Sequence, residues 1–248
     1  GKTTTLYAIL KILNKPNINI MTIEDPVEYD MAGINQIQVN QRANLTFATG
    51  LRSILRQDPN IILVGEIRDE ETSGIAINLA MTGHLVLSTL HANDAATTIP
   101  RLLDLGIEPF LIASTVSVIV AQRLVRKIHE PCRVSEEVSL ELLRTQLSAE
   151  LVQKLFPKKA SSQKETTRVY RGKGCPLCHG SGYAGRVGIF EVLSMDELLR
   201  HAIMERATAS EIQTIAKQSG MRTMIEDGIE KVRQGITTLD EVIRVARE

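Results

Sequence analysis

The chain has 248 residues, 43% of them apolar, which is enough for a substantial core and one or two domains. Lys and Arg (29) balance Asp and Glu (29), Trp is absent and only 3% of residues are aromatic, so the composition lacks both the basic footprint and the stacking surface of a nucleic-acid binder. Three Cys residues are too few for a secreted disulfide framework, the longest apolar stretch (PFLIASTVSVIVAQRLV) is interrupted by polar residues and too short to span a bilayer, and no signal peptide is visible, so a reducing cytoplasmic setting is expected.

In chain order, the pattern predicts a helix over 4–13, a buried strand in INIMTI (18–23), a helix over 46–57 and a second strand in IILV (61–64). A helix over 69–82 follows, starting on the N-cap residue Asp69 and ending at Gly83, and then a third strand, LVLST (85–89). Helices are expected up to Gly106 and again over 108–124, where the apolar run reads as a buried helix. Short β-branched runs alternating with helical patterns predict a parallel α/β sheet for residues 1–128. Beyond it come a charged helix (135–155), a Lys/Ser/Thr-rich loop (157–167), a glycine-dense knuckle, GKGCPLCHGSGYAGRVG, and a helical tail (195–247). Thr208-x-x-Glu211 and Thr238-x-x-Glu241 in that tail have capping-box spacing.

Five sets of residues carry chemistry. Gly1-Lys2-Thr3 matches the last three positions of the phosphate loop G-x-x-x-x-G-K-[ST], in which the Lys reaches the β and γ phosphates and the hydroxyl binds Mg²⁺. Alone, the tripeptide could equally be chance. IILVGEIRD ends a buried strand on Glu66, where a carboxylate can meet water beside a γ-phosphate, although an exposed turn glutamate would look the same. TIEDPVEY sets Glu24, Asp25 and Glu28 at another strand end, and clustered carboxylates repel unless a cation joins them; a solvated acidic turn is the alternative. TGHLVLSTLHANDA places His84 and His91 at the two ends of one strand, with His91 nearer the carboxyl end, where open α/β sheets bind ligands. Either His could instead be structural. Finally, His129-Glu-Pro-Cys132 and Cys175-Pro-Leu-Cys178 make a candidate zinc set, since imidazole and thiolate both suit tetrahedral zinc; small buried hydrophobic cysteines are the alternative. Four protein ligands would leave no open position, so the role would be structural.

In this order and spacing, GKT, TIEDPVEY, RQDPNIILVGEIRDEET and TGHLVLSTLHANDA resemble the traffic ATPases of bacterial type II secretion and type IV pilus assembly, a family of the secretion superfamily. The resemblance implies a RecA-like ATPase core at 1–128, a zinc-binding insert at 129–194 and a helical subdomain at 195–248. It implies ATP, Mg²⁺ and Zn²⁺ as cofactors. Gly1, Lys2, Thr3 and Thr4 would hold phosphate, with Thr3 on Mg²⁺. Glu66 and Glu24 would share water activation or Mg²⁺ coordination, in an order the motifs do not assign. His91 and His84 would sense the nucleotide. Arg52 and Arg56 would reach phosphate or a neighbouring subunit, with a plain helix-surface role as the alternative. The zinc pattern departs from the family's paired C-x-x-C, because His129 stands where the first Cys would be.

The implied function is an ATP-hydrolysing motor for a type II secretion pseudopilus or a type IV pilus. It would work as a homo-hexamer with an inner-membrane platform protein, peripheral to the membrane on the cytoplasmic side, with no span of its own and no nucleic-acid partner. The alternatives are a pilus-retraction or conjugation-type ATPase, against which the 129–178 insert argues, and a non-hydrolysing scaffold. The sequence opens inside the phosphate loop, so these 248 residues alone are expected to bind ATP poorly and to be weakly active or inactive. At about 1.5–3 kcal/mol per charge-assisted hydrogen bond, two missing donors correspond to about a hundredfold in affinity.

Overall fold

The computed structural model describes residues 1–148, 151–153 and 166–246. Its contacts divide the chain into two compact units, 1–119 with 193–220 and 120–192 with 221–248. These cut the chain at other points than the sequence segments 1–128, 129–194 and 195–248, because the helical tail contributes to both units.

In the first unit, strands β1 (Ile20–Glu24), β2 (Asn35–Gln38), β3 (Ile61–Val64) and β4 (Leu85–Ser88) form a parallel sheet in the order β2-β1-β3-β4. A parallel sheet covered on both faces needs strands that are apolar in both directions. The central strands meet that requirement by strict alternation. Ile20, Ile61 and Leu63 pack with Tyr7 and Leu10 of α1 (Lys2–Leu13), while Met21, Ile23, Ile62 and Val64 pack with Leu51 and Ile54 of α2 (Phe47–Ile54) and with Ala76 and Leu79 of α3 (Glu70–Met81). The same alternation carries Thr22 and Glu24 toward the α1 face.

Caps set the helix starts. Thr46 accepts the Thr49 N–H at the head of α2, and Asp69 accepts the Thr72 N–H at 2.8 Å at the head of α3. Helices α4 (Thr98–Asp104) and α5 (Pro109–Thr115) follow β4. Helix α5 packs against α7 (Glu197–Met204), which in turn packs on α8 (Ala209–Gln218), begun by the expected Thr208–Glu211 capping box. Among the described residues no helix is long and apolar enough to cross a membrane.

The second unit holds two antiparallel or paired strand ribbons, β5 (Val118–Ile128) with β8 (Tyr183–Ser194) and β6 (Arg133–Ser139) with β7 (Thr166–Gly172). Helices α9 (Met224–Arg233) and α10 (Leu239–Ala246) share its core with Val125, Val169 and Ile189. Several expectations fail here. The helix expected over 108–124 stops at Thr115, and Val118-Ile119-Val120 opens β5, because a β-branched run favours the pleated surface. The charged helix expected from 135 is strand β6 up to Ser139, which then caps the short α6 (Leu140–Gln146) through the Leu142 N–H. The C-terminal part of the knuckle, from Tyr183, is strand β8. Most of the loop expected at 157–167 lies outside the described residues.

The Thr238–Glu241 box forms only in part. Thr238 accepts the Glu241 N–H, but the Glu241 carboxylate turns to the Arg126 guanidinium and backbone N–H and to Arg244. Arg126 also lies over the Tyr183 ring at 4.3 Å, and the Tyr183 hydroxyl meets Thr238 Oγ1 at 2.8 Å. Glu241 is 2% exposed. The Arg126 hydrogen bond, followed by that of Arg244, outweighs burial and brings the Glu241 carboxyl from the ordinary 4.5 down to about 2. A depressed carboxyl stabilises the fold fully above its unfolded value, and that contribution drains as pH falls from about 4.5 toward 2. With solvent screening through the half-exposed arginines, the contribution is about 2–3 kcal/mol. Glu241→Gln should therefore lower the urea midpoint at pH 7 and flatten the loss of stability below pH 4.5. An unchanged midpoint and acid limb would contradict this.

Candidate functional site

The carboxyl ends of β1, β3 and β4 lie side by side, and the residues just past them form one rim. Backbone bonds lock the rim together. Gly65 N–H donates to Ile23 O at 2.8 Å, Ile67 N–H to Thr89 O at 2.9 Å, and Thr89 Oγ1 to Gly65 O at 2.7 Å. Glu66 emerges between these contacts with its side chain 13% exposed. It is paired with the Arg68 guanidinium and with His91 Nε2 at 3.1 Å. Burial pushes the Glu66 carboxyl up, but the Arg68 and His91 hydrogen bonds together outweigh it and hold the group below the usual carboxylate range. His91 itself is 71% exposed, so its ring lies open to solvent at the rim.

Helix α1 brings the phosphate-loop residues to the same place. Lys2 Nζ lies 3.5 Å from Leu90 O, the residue before His91. Gly1 is the N-cap of α1, and its carbonyl accepts from Thr5 N–H at 3.0 Å, so the first turn is formed and its free N–H groups face outward. Thr3 is half-buried and Thr4 exposed on this turn. A helix N-terminus, a lysine ammonium and a threonine hydroxyl opposite a carboxylate make a set of donors and hard oxygen ligands that fits a nucleotide phosphate with Mg²⁺.

Other predicted residues are placed differently. Glu24 is 2% exposed, and its two oxygens take hydrogen bonds from Tyr7 Oη, from Thr22 Oγ1 and from Gln36 Nε2 at 3.2 Å. It therefore faces α1 and not the Glu66–His91 pair. Its neighbours Asp25 and Glu28 are exposed, and Arg68 feels the Asp25 charge. His84 precedes β4 at the opposite, amino end, where Nδ1 meets Thr82 Oγ1 and Leu79 O, each at 3.0 Å. Arg52, on α2, pairs with Glu71 at 2.6 Å, and Arg56, in the 3-10 turn Leu55–Gln57 that follows, bonds Arg52 O through Nη1 at 2.9 Å. Sequence reasoning assigned no role to Arg68 or Tyr7. An arginine two residues after Glu66 in extended chain falls on the same side, which was the available signal for Arg68.

The second cluster lies in the other unit. The ligand atoms of His129, Cys132, Cys175 and Cys178 all fall within 4.8 Å of one another, a group that could hold a metal ion. His129 Nδ1 lies 3.5 Å from Cys132 Sγ and 3.4 Å from Cys175 Sγ, and the Sγ–Sγ separations are 3.7 Å (Cys175–Cys178) and 4.0 Å (Cys132–Cys178). With Zn–S of about 2.3 Å and Zn–N of about 2.0 Å, a regular tetrahedron has edges of about 3.5–3.8 Å. Four of the six separations, at 3.4–4.0 Å, lie close to those edges. Cys178 Sγ also accepts the N–H groups of Cys175 (3.2 Å) and Gly182 (3.3 Å), and although burial opposes them, these donors bring its thiol down to about 6. Glycine is required where the knuckle closes, because a Cβ on Gly172 would lie 2.1 Å from Gly182 O.

A parallel α/β sheet with a helix N-terminus, a lysine, a glutamate and a histidine gathered at its carboxyl rim has the architecture of a RecA-like core, here accompanied by a cysteine–histidine knuckle. Residues 1–244 match the family model described as type II/IV secretion system protein. The chain is 49% identical over 243 residues to the type IV pilus assembly ATPase PilB of Thermus thermophilus, covering 98% of this chain and 26% of that protein. It is 48% identical over 250 residues to the type II secretion system ATPase E of Vibrio cholerae, covering 100% of this chain and 46% of that protein. Among solved structures, the ADP-bound pilus retraction motor PilT aligns with a TM-score of 0.69 at 27% identity, covering all of this chain and 58% of the other. The chain belongs to the type II/IV secretion system protein family. It spans between a quarter and a half of the length of these curated relatives.

Proposed function

We propose that this chain is the catalytic segment of an ATP-hydrolysing motor that drives assembly of a type II secretion pseudopilus or a type IV pilus. The observation that carries the reading is the meeting of Lys2, Glu66 and His91 at one strand rim. Lys2, the α1 N-terminus, Thr3 and Thr4 hold the phosphates, and His91 contacts the terminal one. Mg²⁺, when bound with ATP, neutralises phosphate charge and would be held by Thr3 and by Glu66 directly or through water. Because Arg68 and His91 keep Glu66 ionised, it is a poor proton acceptor, and its part is to orient water or cation. Glu24 shares the work by holding its surroundings in place, while the exposed Asp25 and Glu28 present carboxylates to solvent beside it.

His129, Cys132, Cys175 and Cys178 hold a structural zinc, and this site favours an assembly or secretion motor over a retraction or conjugation-type ATPase. The functional division we propose is nucleotide core 1–128, zinc-bearing insert 129–194 and helical subdomain 195–248. The motor works as a homo-hexamer on the cytoplasmic side of the inner membrane against a membrane platform protein. His84, at the far end of β4, Arg52, on α2, and Arg56, in the turn that follows α2, would then meet nucleotide held by a neighbouring subunit. In the full-length protein that contains this chain, Lys2→Ala should weaken Mg·ATP binding at least about tenfold. Binding equal to wild type, measured by equilibrium titration, would rule out the assigned cradle.

A further inference from the structure

The geometry points to Tyr7 as a positioning residue that ties the phosphate-binding helix to the acidic loop 25–34, so that the two sides of the nucleotide site are set by one buried hydroxyl. This rests on the function proposed above and adds to it a residue and a connection.

Tyr7 lies on α1, five residues beyond Lys2, and is 1% exposed. Its ring is part of the core with Ile20 and Leu63, and it meets the Tyr29 ring edge-on at 4.7 Å. Its hydroxyl uses its full hydrogen-bonding capacity. It donates to Glu24 Oε2, accepts the Glu28 N–H at 3.3 Å and lies 3.5 Å from Gln36 Nε2. One oxygen atom on the phosphate helix therefore touches the end of β1, edge strand β2 and the backbone of the loop that carries the exposed Asp25 and Glu28.

Other parts of that loop are held separately. Gln36 Oε1 accepts the Met31 N–H at 2.6 Å, Gln38 Oε1 accepts the Val27 N–H at 3.2 Å, and Asn14, the C-cap of α1, donates Nδ2 to Ala32 O at 2.8 Å. Tyr7 and Gln38 thus anchor the adjacent loop residues Glu28 and Val27, Gln38 from β2 and Tyr7 from the body of α1. A carboxylate with three donors and almost no solvent contact is a fixed post, not a base. Glu24 serves as that post, and its value to the site is that Tyr7 hangs from it.

The test uses steady-state ATP hydrolysis by the full-length protein that contains this chain. Tyr7→Phe removes one oxygen and keeps the ring. It should lower kcat about tenfold and leave KM for Mg·ATP within about twofold, because the loop is displaced while the phosphate cradle stays. Gln38→Met, which frees Val27 N–H from the β2 side, should give a similar kcat loss. The double variant should be no slower than the slower single one, as for two anchors of one loop. Tyr29→Phe, which removes an exposed hydroxyl, should match wild type. Wild-type kcat in Tyr7→Phe, a fall in kcat matched by an equal rise in KM, or losses that multiply in the double variant would each overturn the inference. A wild-type protein without Glu66-dependent hydrolysis would overturn the proposed function instead, and this inference with it.

Discussion

Glu66→Gln, made in the full-length protein, is expected to bind Mg·ATP with near wild-type affinity and to lose at least about a hundredfold in turnover. The substitution keeps the shape of the side chain and removes its charge. Binding should survive because the proposed phosphate cradle is Lys2 and the α1 N-terminus, with Lys2 Nζ at the Leu90 carbonyl beside His91. Turnover fails because Glu66 is the carboxylate beside His91 that the fold keeps ionised in spite of burial. The substitution also releases Arg68, whose partner is then neutral. Single-turnover phosphate release checks the chemical step directly, and a rate near wild type would refute the assignment.

Removing the zinc proposed for His129, Cys132, Cys175 and Cys178 has the largest expected structural effect. Structural zinc contributes about 10–16 kcal/mol of apparent binding free energy in small zinc peptides, and that binding is also folding. Here three thiols and an imidazole converge on a knuckle whose backbone bonds include Gly180 N–H to Cys175 O at 3.0 Å, Ser181 N–H to Cys178 O at 3.0 Å and His129 N–H to Gly182 O at 2.9 Å. Elemental analysis should find about one zinc per chain. Chelation, or Cys178→Ser, should release it and expose the knuckle at 173–182 to protease while the parallel sheet of the other unit stays folded. Protein free of zinc with that segment still protected would sink the site. Replacing His129 with Cys should retain zinc, since both ligands suit the geometry.

The sheet core was legible because its central strands are buried on both faces: 61–64 reads as an unbroken apolar run and 20–23 is interrupted only by Thr22. Helices α3 and α8 announced themselves by Asp69 and Thr208, whose side chains cap them as their positions suggest. Edge strand β2 was hidden, because NQIQ is polar and half-exposed and is held by a neighbour 14 residues back in sequence, Met21 to Asn35. Ribbon strands β5 to β8 were hidden for a related reason. A single chain position does not say which distant segment it will pair with, and the polar run 133–139 suits a helix as well as the strand it forms opposite 166–172.

The site divides along the same line. Residues whose role depends on standing at a strand end, such as Glu66 and His91, follow from motif and topology together. Residues whose role depends on which way a side chain turns do not. Glu24 sits in the same motif as Asp25 and Glu28, yet alternation along β1 sends it to the buried α1 face and leaves the other two in water. Tyr7 reads as a helix-core aromatic until its hydroxyl is traced to Glu24 and the Glu28 backbone. Thr238-x-x-Glu241 has the spacing of a capping box, but the pull of Arg126 on the carboxylate outweighs the second half of the cap.

In the proposed function the β1–β3–β4 rim binds the phosphates of ATP. A structure of the full-length protein with Mg²⁺ and a non-hydrolysable ATP analogue tests this most directly. The β and γ phosphates should lie over the N-terminus of α1, in contact with Lys2 Nζ, with Glu66 and His91 facing the γ-phosphate. A nucleotide bound elsewhere, with Lys2 still on the Leu90 carbonyl and Glu66 still paired only with Arg68 and His91, would contradict it.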